Sequence, residues 1–200
     1  IETLRREAAG SVTLCPLGPL TNIATAFQRA PDIIDRVHQA AAFLRAELSQ
    51  LPEIGIILGT GLGRLADEID AVTTVEYDAI PHFPVSTVET HHGRLIGGTL
   101  DGVPVLALQG RFHLYEGYDA KQVVFPVRVL GRLGIRILVL TNAAGAINPD
   151  FTPGELMILS DHINLLGNPL TGPNEAALGP RFPDMSNTYD ADLRKLAHQA

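Results

Sequence analysis

The chain has 200 residues, 46% of them hydrophobic, with 19 glycines, 14 prolines and a formal charge of −7. This is the composition of one ordinary globular domain with many turns and not of a disordered chain; the acidic balance, with no lysine or arginine run longer than two residues, excludes a nucleic-acid duplex or an anionic membrane surface as partner. Cys15 stands alone, which excludes an internal disulfide and a multi-cysteine zinc site, and no run of about 18 apolar residues exists for a membrane span.

The polar start IETLRREAAG lacks the apolar segment of a signal peptide and carries no initiating Met. The expectation is a soluble cytoplasmic protein, or a stretch of a longer gene product. In chain order, SVTLCPL (11–17) reads as a first buried strand, followed by helical patterns over PLTNIATAFQRA (19–30) and PDIIDRVHQAAAFLRAELSQ (31–50). IGIILG (54–59), VPVLALQ (103–109) and IRILVLTN (135–142) are short Leu-rich or β-branched runs that end at Gly or polar residues, which suits strands of a sheet covered on both faces. KQVVFPVRVLGRLG (121–134) is helical, with Pro126 either kinking the helix or marking its first turn. GNPLTGPNEAALGPRFPDMSNT (167–188) reads as a long loop, and YDADLRKLAHQA (189–200) as a closing helix. Strands alternating with helices predict an α/β fold with a mixed, mainly parallel sheet flanked by helices.

Four stretches carry chemistry. GIILGTGLG (55–63) is a strand running into a Gly-rich turn, where backbone N–H groups and the Thr60 hydroxyl can converge on an anion. It lacks the glycine spacing of a dinucleotide site and the lysine of a P-loop, and the glycines equally permit a tight turn with no ligand. STVETHHGRL (86–95) places His91 beside His92; in a strand the two face opposite ways, so they do not converge on one metal. In QGRFHLYEG (109–117), strand alternation puts Arg111, His113 and Tyr115 on one face and Phe112 and Leu114 on the other. Arg supplies a planar fork for an oxyanion, His a donor that can become charged, Tyr a ring and hydroxyl suited to a sugar. The alternative is an exposed strand end with a surface Arg and Glu. TNAAGAINPDFTPGE (141–155) follows the most hydrophobic strand with small residues that let a flat ligand approach the backbone.

From about residue 40 onward the chain resembles the trimeric purine nucleoside phosphorylases, through GIILGTGLG, IPHFPVSTVETHHGRL, LQGRFHLYEGY, VFPVRVLGRLG, VLTNAAGAINPDFTPGELMILSDHINL, NPLTGPNE and GPRFPDMSNTYD in that order. The resemblance implies that phosphate is bound by Thr60, Arg111, His113 and the backbone N–H of Ala143, with His91 alongside, and that Arg111 and His113 are catalytic. It implies that Tyr115 contacts the ribose, that Ala144 and Gly145 line the base pocket, and that Phe182 reaches into a neighbouring subunit's site. Thr60 replaces the family's more frequent Ser, and Thr90-His91-His92-Gly93 replaces its Gly-His-Ala-Gly. Residues 12–37 are similar to a segment of the inosine-uridine nucleoside hydrolases, but without that family's cluster of aspartates for calcium.

These readings give two expected segments, a hydrolase-like remnant or fusion over 1–37 and a phosphorylase domain over 38–200 that stops before the family's base-recognition residues. The expected activity is phosphorolysis of purine nucleosides to base and ribose 1-phosphate, with inorganic phosphate as co-substrate, no metal or organic cofactor, and a homotrimer as the intact assembly. The rivals are a nucleoside hydrolase and a non-catalytic phosphate- or nucleoside-binding fragment.

Overall fold

The apolar runs pair with one another, and less obvious neighbours complete a sheet of seven strands. The computed structural model describes residues 12–17, 31–59, 61–84, 93–172 and 182–200. Its elements are β1 (Val12–Leu17), α1 (Pro31–Glu47), β2 (Ile54–Leu58), β3 (Asp70–Glu76), β4 (Arg94–Leu100), β5 (Val103–Gln109), α2 (Ala120–Val123), α3 (Phe125–Leu133), β6 (Ile137–Ala143), β7 (Leu156–Ile158) and α4 (Ala191–Gln199). Short 3-10 segments span Gly63–Glu68, Tyr77–Ala79 and Leu114–Glu116. The strand order is β3-β4-β5-β2-β6-β1-β7.

The three strands expected to be covered on both faces form the centre: β2 pairs in parallel with β5 on one side and β6 on the other. Their side chains alternate between two cores, as the period of a strand requires. Ile57, Leu106, Leu108 and Leu138 join Val37, Ala41, Leu44, Val129 and Leu130 under α1 and α3. Ile56, Leu58, Val105 and Ala107 face the other way, onto Leu62, Leu65 and Ala66 of the turn after β2. Truncating one of the fully buried leucines, such as Leu44 or Leu130, belongs to the class of change that costs about 2–5 kcal/mol.

Antiparallel strands flank this centre, so the sheet is more mixed than the alternating pattern suggests. β3 pairs with β4 and β4 with β5, all antiparallel. These strands escape the pattern because β4 holds two adjacent glycines and β3 is mostly exposed. A Cβ at Gly98 would run into the Asp70 carbonyl, and the β3 register shifts between Ala71 and Thr73 just there. β1 lies antiparallel to β6 and parallel to β7, so residues 12–17 form a strand of the sheet, in line with the strand read from SVTLCPL. The boundary drawn at residue 37 falls inside α1. The helix expected over 19–30 lies outside the described residues.

Pro126 sits in the first turn of α3, where its missing N–H is no loss, and Val124 separates α3 from the short α2. Gly134 ends α3 in the left-handed region at φ 105°, and Ile135 N–H donates back to Leu130 O at 3.2 Å. The Arg45 guanidinium donates to Arg132 O at 2.5 Å, tying the end of α1 to the end of α3. The helix thus crosses under the sheet and returns the chain to the foot of β6.

Candidate functional site

The stretch after β5 leaves the sheet at once. Gln109 ends the strand, residues 110–113 are irregular, and Leu114–Glu116 forms a 3-10 turn closed by Gly117 at φ 94°. The expected strand alternation is therefore not the geometry, yet the expected grouping holds. Phe112 is buried at 4% exposure and packs at 5.5 Å from the Tyr77 ring and 5.7 Å from the Tyr118 ring. The Tyr77 hydroxyl donates to Gly110 O at 2.9 Å, and burial pushes its pKa well above the ordinary value, so it stays a donor. With Phe112 pinned inward, its neighbours Arg111 and His113 project from an anchored loop.

Arg111, His113 and Glu116 form a continuous chain. Arg111 Nη1 donates to Thr141 O at 2.7 Å and Arg111 Nε to His113 Nε2 at 2.9 Å. His113 Nδ1 lies 2.6 Å from Glu116 Oε1, which also accepts from the His113 backbone N–H at 3.0 Å. Since Arg only donates, His113 Nε2 accepts here and Nδ1 carries the proton toward Glu116. Partial burial lowers the Arg111 pKa, and the nearby Tyr115 phenol opposes that shift. Tyr115 stacks on His113 at 4.5 Å between ring centroids and is otherwise open to solvent at 79% exposure.

The sequence alone gives Glu116 no role, a surface Glu standing there only as the alternative to a site; its side chain is 3% exposed and orients the imidazole. The signal for it is the i, i+3 spacing from His113, the geometry of a capping box around a short turn.

The Gly-rich turn closes on the same place. The Gly59 N–H donates to Thr141 Oγ1 at 2.9 Å, and a Cβ at Gly59 would collide with Thr141 O and stand 2.8 Å from Arg111 Nη1. Glycine is required because the backbone of the turn, β6 and the guanidinium meet there. Thr141, 2% exposed, links all three; the sequence places it at the end of a strand and the head of the stretch 141–155 without giving it this role. Three stretches far apart in sequence thus converge beyond the carboxyl ends of β2, β5 and β6.

Other expected residues are placed less tightly. Ala143 is the last residue of β6, exposed and opposite Val12 of β1. Ala144 and Gly145 follow it and line a cavity of about 200 Å³ with Ile147, Phe151 and Met157. A second cavity, about 320 Å³, lies against α3 and is lined by Ile57, Leu108, Val127, Leu140, Arg111 and Asn142. Phe182 points outward at 84% exposure. Thr60, His91 and His92 lie outside the described residues. Among the described residues no group of three His, Cys, Asp or Glu side chains could hold a metal ion, and no helix is long and apolar enough to cross a membrane.

Comparison with known proteins points the same way. Residues 53–200 match the family described as the phosphorylase superfamily. The chain is 58% identical over 166 residues to purine nucleoside phosphorylase 1 of Bacillus subtilis, covering 82% of this chain and 61% of that protein. It is 49% identical to the purine nucleoside phosphorylase of Bos taurus, covering 79% of this chain and 56% of that one. Among solved structures, Schistosoma mansoni purine nucleoside phosphorylase in complex with inosine superposes with a TM-score of 0.77 at 48% identity, over 83% of this chain and 59% of that one. A purine nucleoside phosphorylase in complex with ribose-1-phosphate superposes at 0.73 with 47% identity, over 83% and 63%. The chain spans about three fifths of the length of these relatives. The similarity of residues 12–37 to nucleoside hydrolases gains no support from them. A family match over residues 53–200, joined to superposition on solved purine nucleoside phosphorylases at TM-scores of 0.73 and 0.77, has one reading: the chain belongs to the phosphorylase superfamily.

Proposed function

We propose that the chain carries the phosphate-binding portion of a purine nucleoside phosphorylase, acting in the cytoplasm on a purine nucleoside and inorganic phosphate. The observation that carries the reading is the Glu116-His113-Arg111 chain set against the glycine turn at Gly59. It collects a guanidinium fork, an imidazole backed by a carboxylate, and a close-approaching backbone, which is a cradle for an oxyanion. The relatives' names, and the inosine and ribose-1-phosphate in their structures, support the substrate class.

In the reaction a phosphate oxygen bonds to C1′ of the nucleoside as the C1′–N bond to the purine breaks, and the electron pair of that bond leaves with the base. The sugar passes through a cation-like state. A phosphate held by Arg111, and by His113 once Nε2 donates to the anion instead of accepting from Arg111, is both nucleophile and counter-charge to that state. Thr60, His91 and the Ala143 N–H take remaining phosphate oxygens, Tyr115 offers its ring to the ribose, and Ala144 and Gly145 border the base. Neither a metal ion nor an organic cofactor enters this chemistry. Phe182 completes a neighbour's site in a cyclic homotrimer, for which sedimentation of the full gene product should show three protomers; a monomer with full activity would contradict that assembly.

The direct test follows inosine cleavage by the full gene product with and without phosphate, and with a chelator. Cleavage that requires phosphate, yields ribose 1-phosphate and ignores the chelator is expected. Full activity in phosphate-free buffer, lost on chelation, would overturn the reading.

A further inference from the structure

The glycine turn after β2 is held at both ends by side chains of neighbouring strands, none of which has a role in the phosphate reading. At its start Thr141 Oγ1 accepts from the Gly59 N–H and donates to Ile57 O at 3.1 Å. At its end the Gly63 carbonyl accepts from Gln109 Nε2 at 3.3 Å. Gln109 is the last residue of β5 and faces Arg94, the first of β4, across the antiparallel pair. Arg94 Nε donates to Gln109 Oε1 at 2.5 Å.

The order of these bonds matters. An amide has one accepting and one donating end, and a guanidinium can only donate. Arg94 therefore selects the amide orientation in which Oε1 faces it and Nε2 is left for Gly63. Within the turn the buried Leu62 side chain anchors one point in the core, but the glycines at 59, 61 and 63 leave the backbone on either side of it free to shift. Its first residue lies against Arg111 Nη1, so a shift of the turn moves backbone donors relative to the guanidinium.

We propose that Gln109, oriented by Arg94, is a positioning residue for the oxyanion cradle, registering the glycine turn against Arg111 so that both address the same anion. This rests on the phosphate reading of the site. Gln109 acts through the turn and does not touch the anion.

Gln109→Met keeps the length of the side chain and removes the donor to Gly63. The full gene product carrying it should show faster amide hydrogen exchange confined to residues 59–63, a phosphate affinity lowered about tenfold by calorimetry, and an unchanged melting temperature. Arg94→Met frees the amide to turn over and should reproduce the faster exchange, while Arg94→Lys, which still donates to Oε1, should restore the parent rate. Parent-like exchange over 59–63, or parent-like phosphate affinity, in Gln109→Met overturns the proposal. A parent protein that binds no phosphate overturns the phosphate reading instead, and exchange in the variants still decides whether Gln109 holds the turn.

Discussion

Gly59 is the point where the turn after β2, the Thr141 carbonyl and the Arg111 guanidinium come closest. A methyl group there has no free space, because two of its three nearest atoms belong to main chain, which cannot swing aside. Gly63, five positions from the end of β2, has nothing within 4 Å of where a Cβ would stand. Gly59→Ala should therefore destabilise the fold by about 1–3 kcal/mol, and Gly63→Ala should be neutral or stabilise it by up to about 1 kcal/mol. Urea unfolding of the two variants checks this, and equal midpoints would show that the close approach at Gly59 is not made. At this scale the sequence was only partly legible. The residue types of the cradle, Arg111 and His113, are visible from chemistry. Glu116 and Thr141 are not, since their roles come from burial, which a turn and a neighbouring strand impose.

At the scale of elements, legibility follows apolar density. β2, β5 and β6 are continuous Leu, Ile and Val runs because both faces are covered, and such runs stand out against any background. β3 and β4 do not. In β3, Val72 is 71% exposed, so the hydrophobic alternation of a half-buried strand is broken, and the glycines of β4 exist to let β3 and the end of α1 come close. β7 has three residues, too few for a period to declare itself. The segment 111–116 illustrates a different failure. Alternation gave a usable grouping of polar side chains for the wrong reason: Phe112 is pulled into the aromatic cluster with Tyr77 and Tyr118, and the stacking of Tyr115 on His113 is a feature of the 3-10 turn. Pro126 and Gly134 mark the start and stop of α3 as their backbone chemistry requires.

For the whole molecule, the cradle lies at the carboxyl edge of the central strands, while much of residues 144–172 is exposed, including Ile147, Ile163, Leu165 and Leu166 at 70% or more. On the proposed reading that apolar surface is covered in the full-length trimer, in keeping with a chain that spans 61% of its Bacillus subtilis relative. On that reading phosphate binds at the Arg111 cradle. Arg111 donates from a partly buried position, whereas Arg132 is exposed and its backbone carbonyl accepts from Arg45. Losing a charge-assisted hydrogen bond to an anion costs about 1.5–3 kcal/mol, roughly a ten- to hundredfold loss of affinity, against about 0.5 kcal/mol or less for a surface change. Calorimetric titration of phosphate into Arg111→Ala and Arg132→Ala measures this difference: affinity lost in the first and kept in the second is the predicted result, and equal affinities would contradict the account.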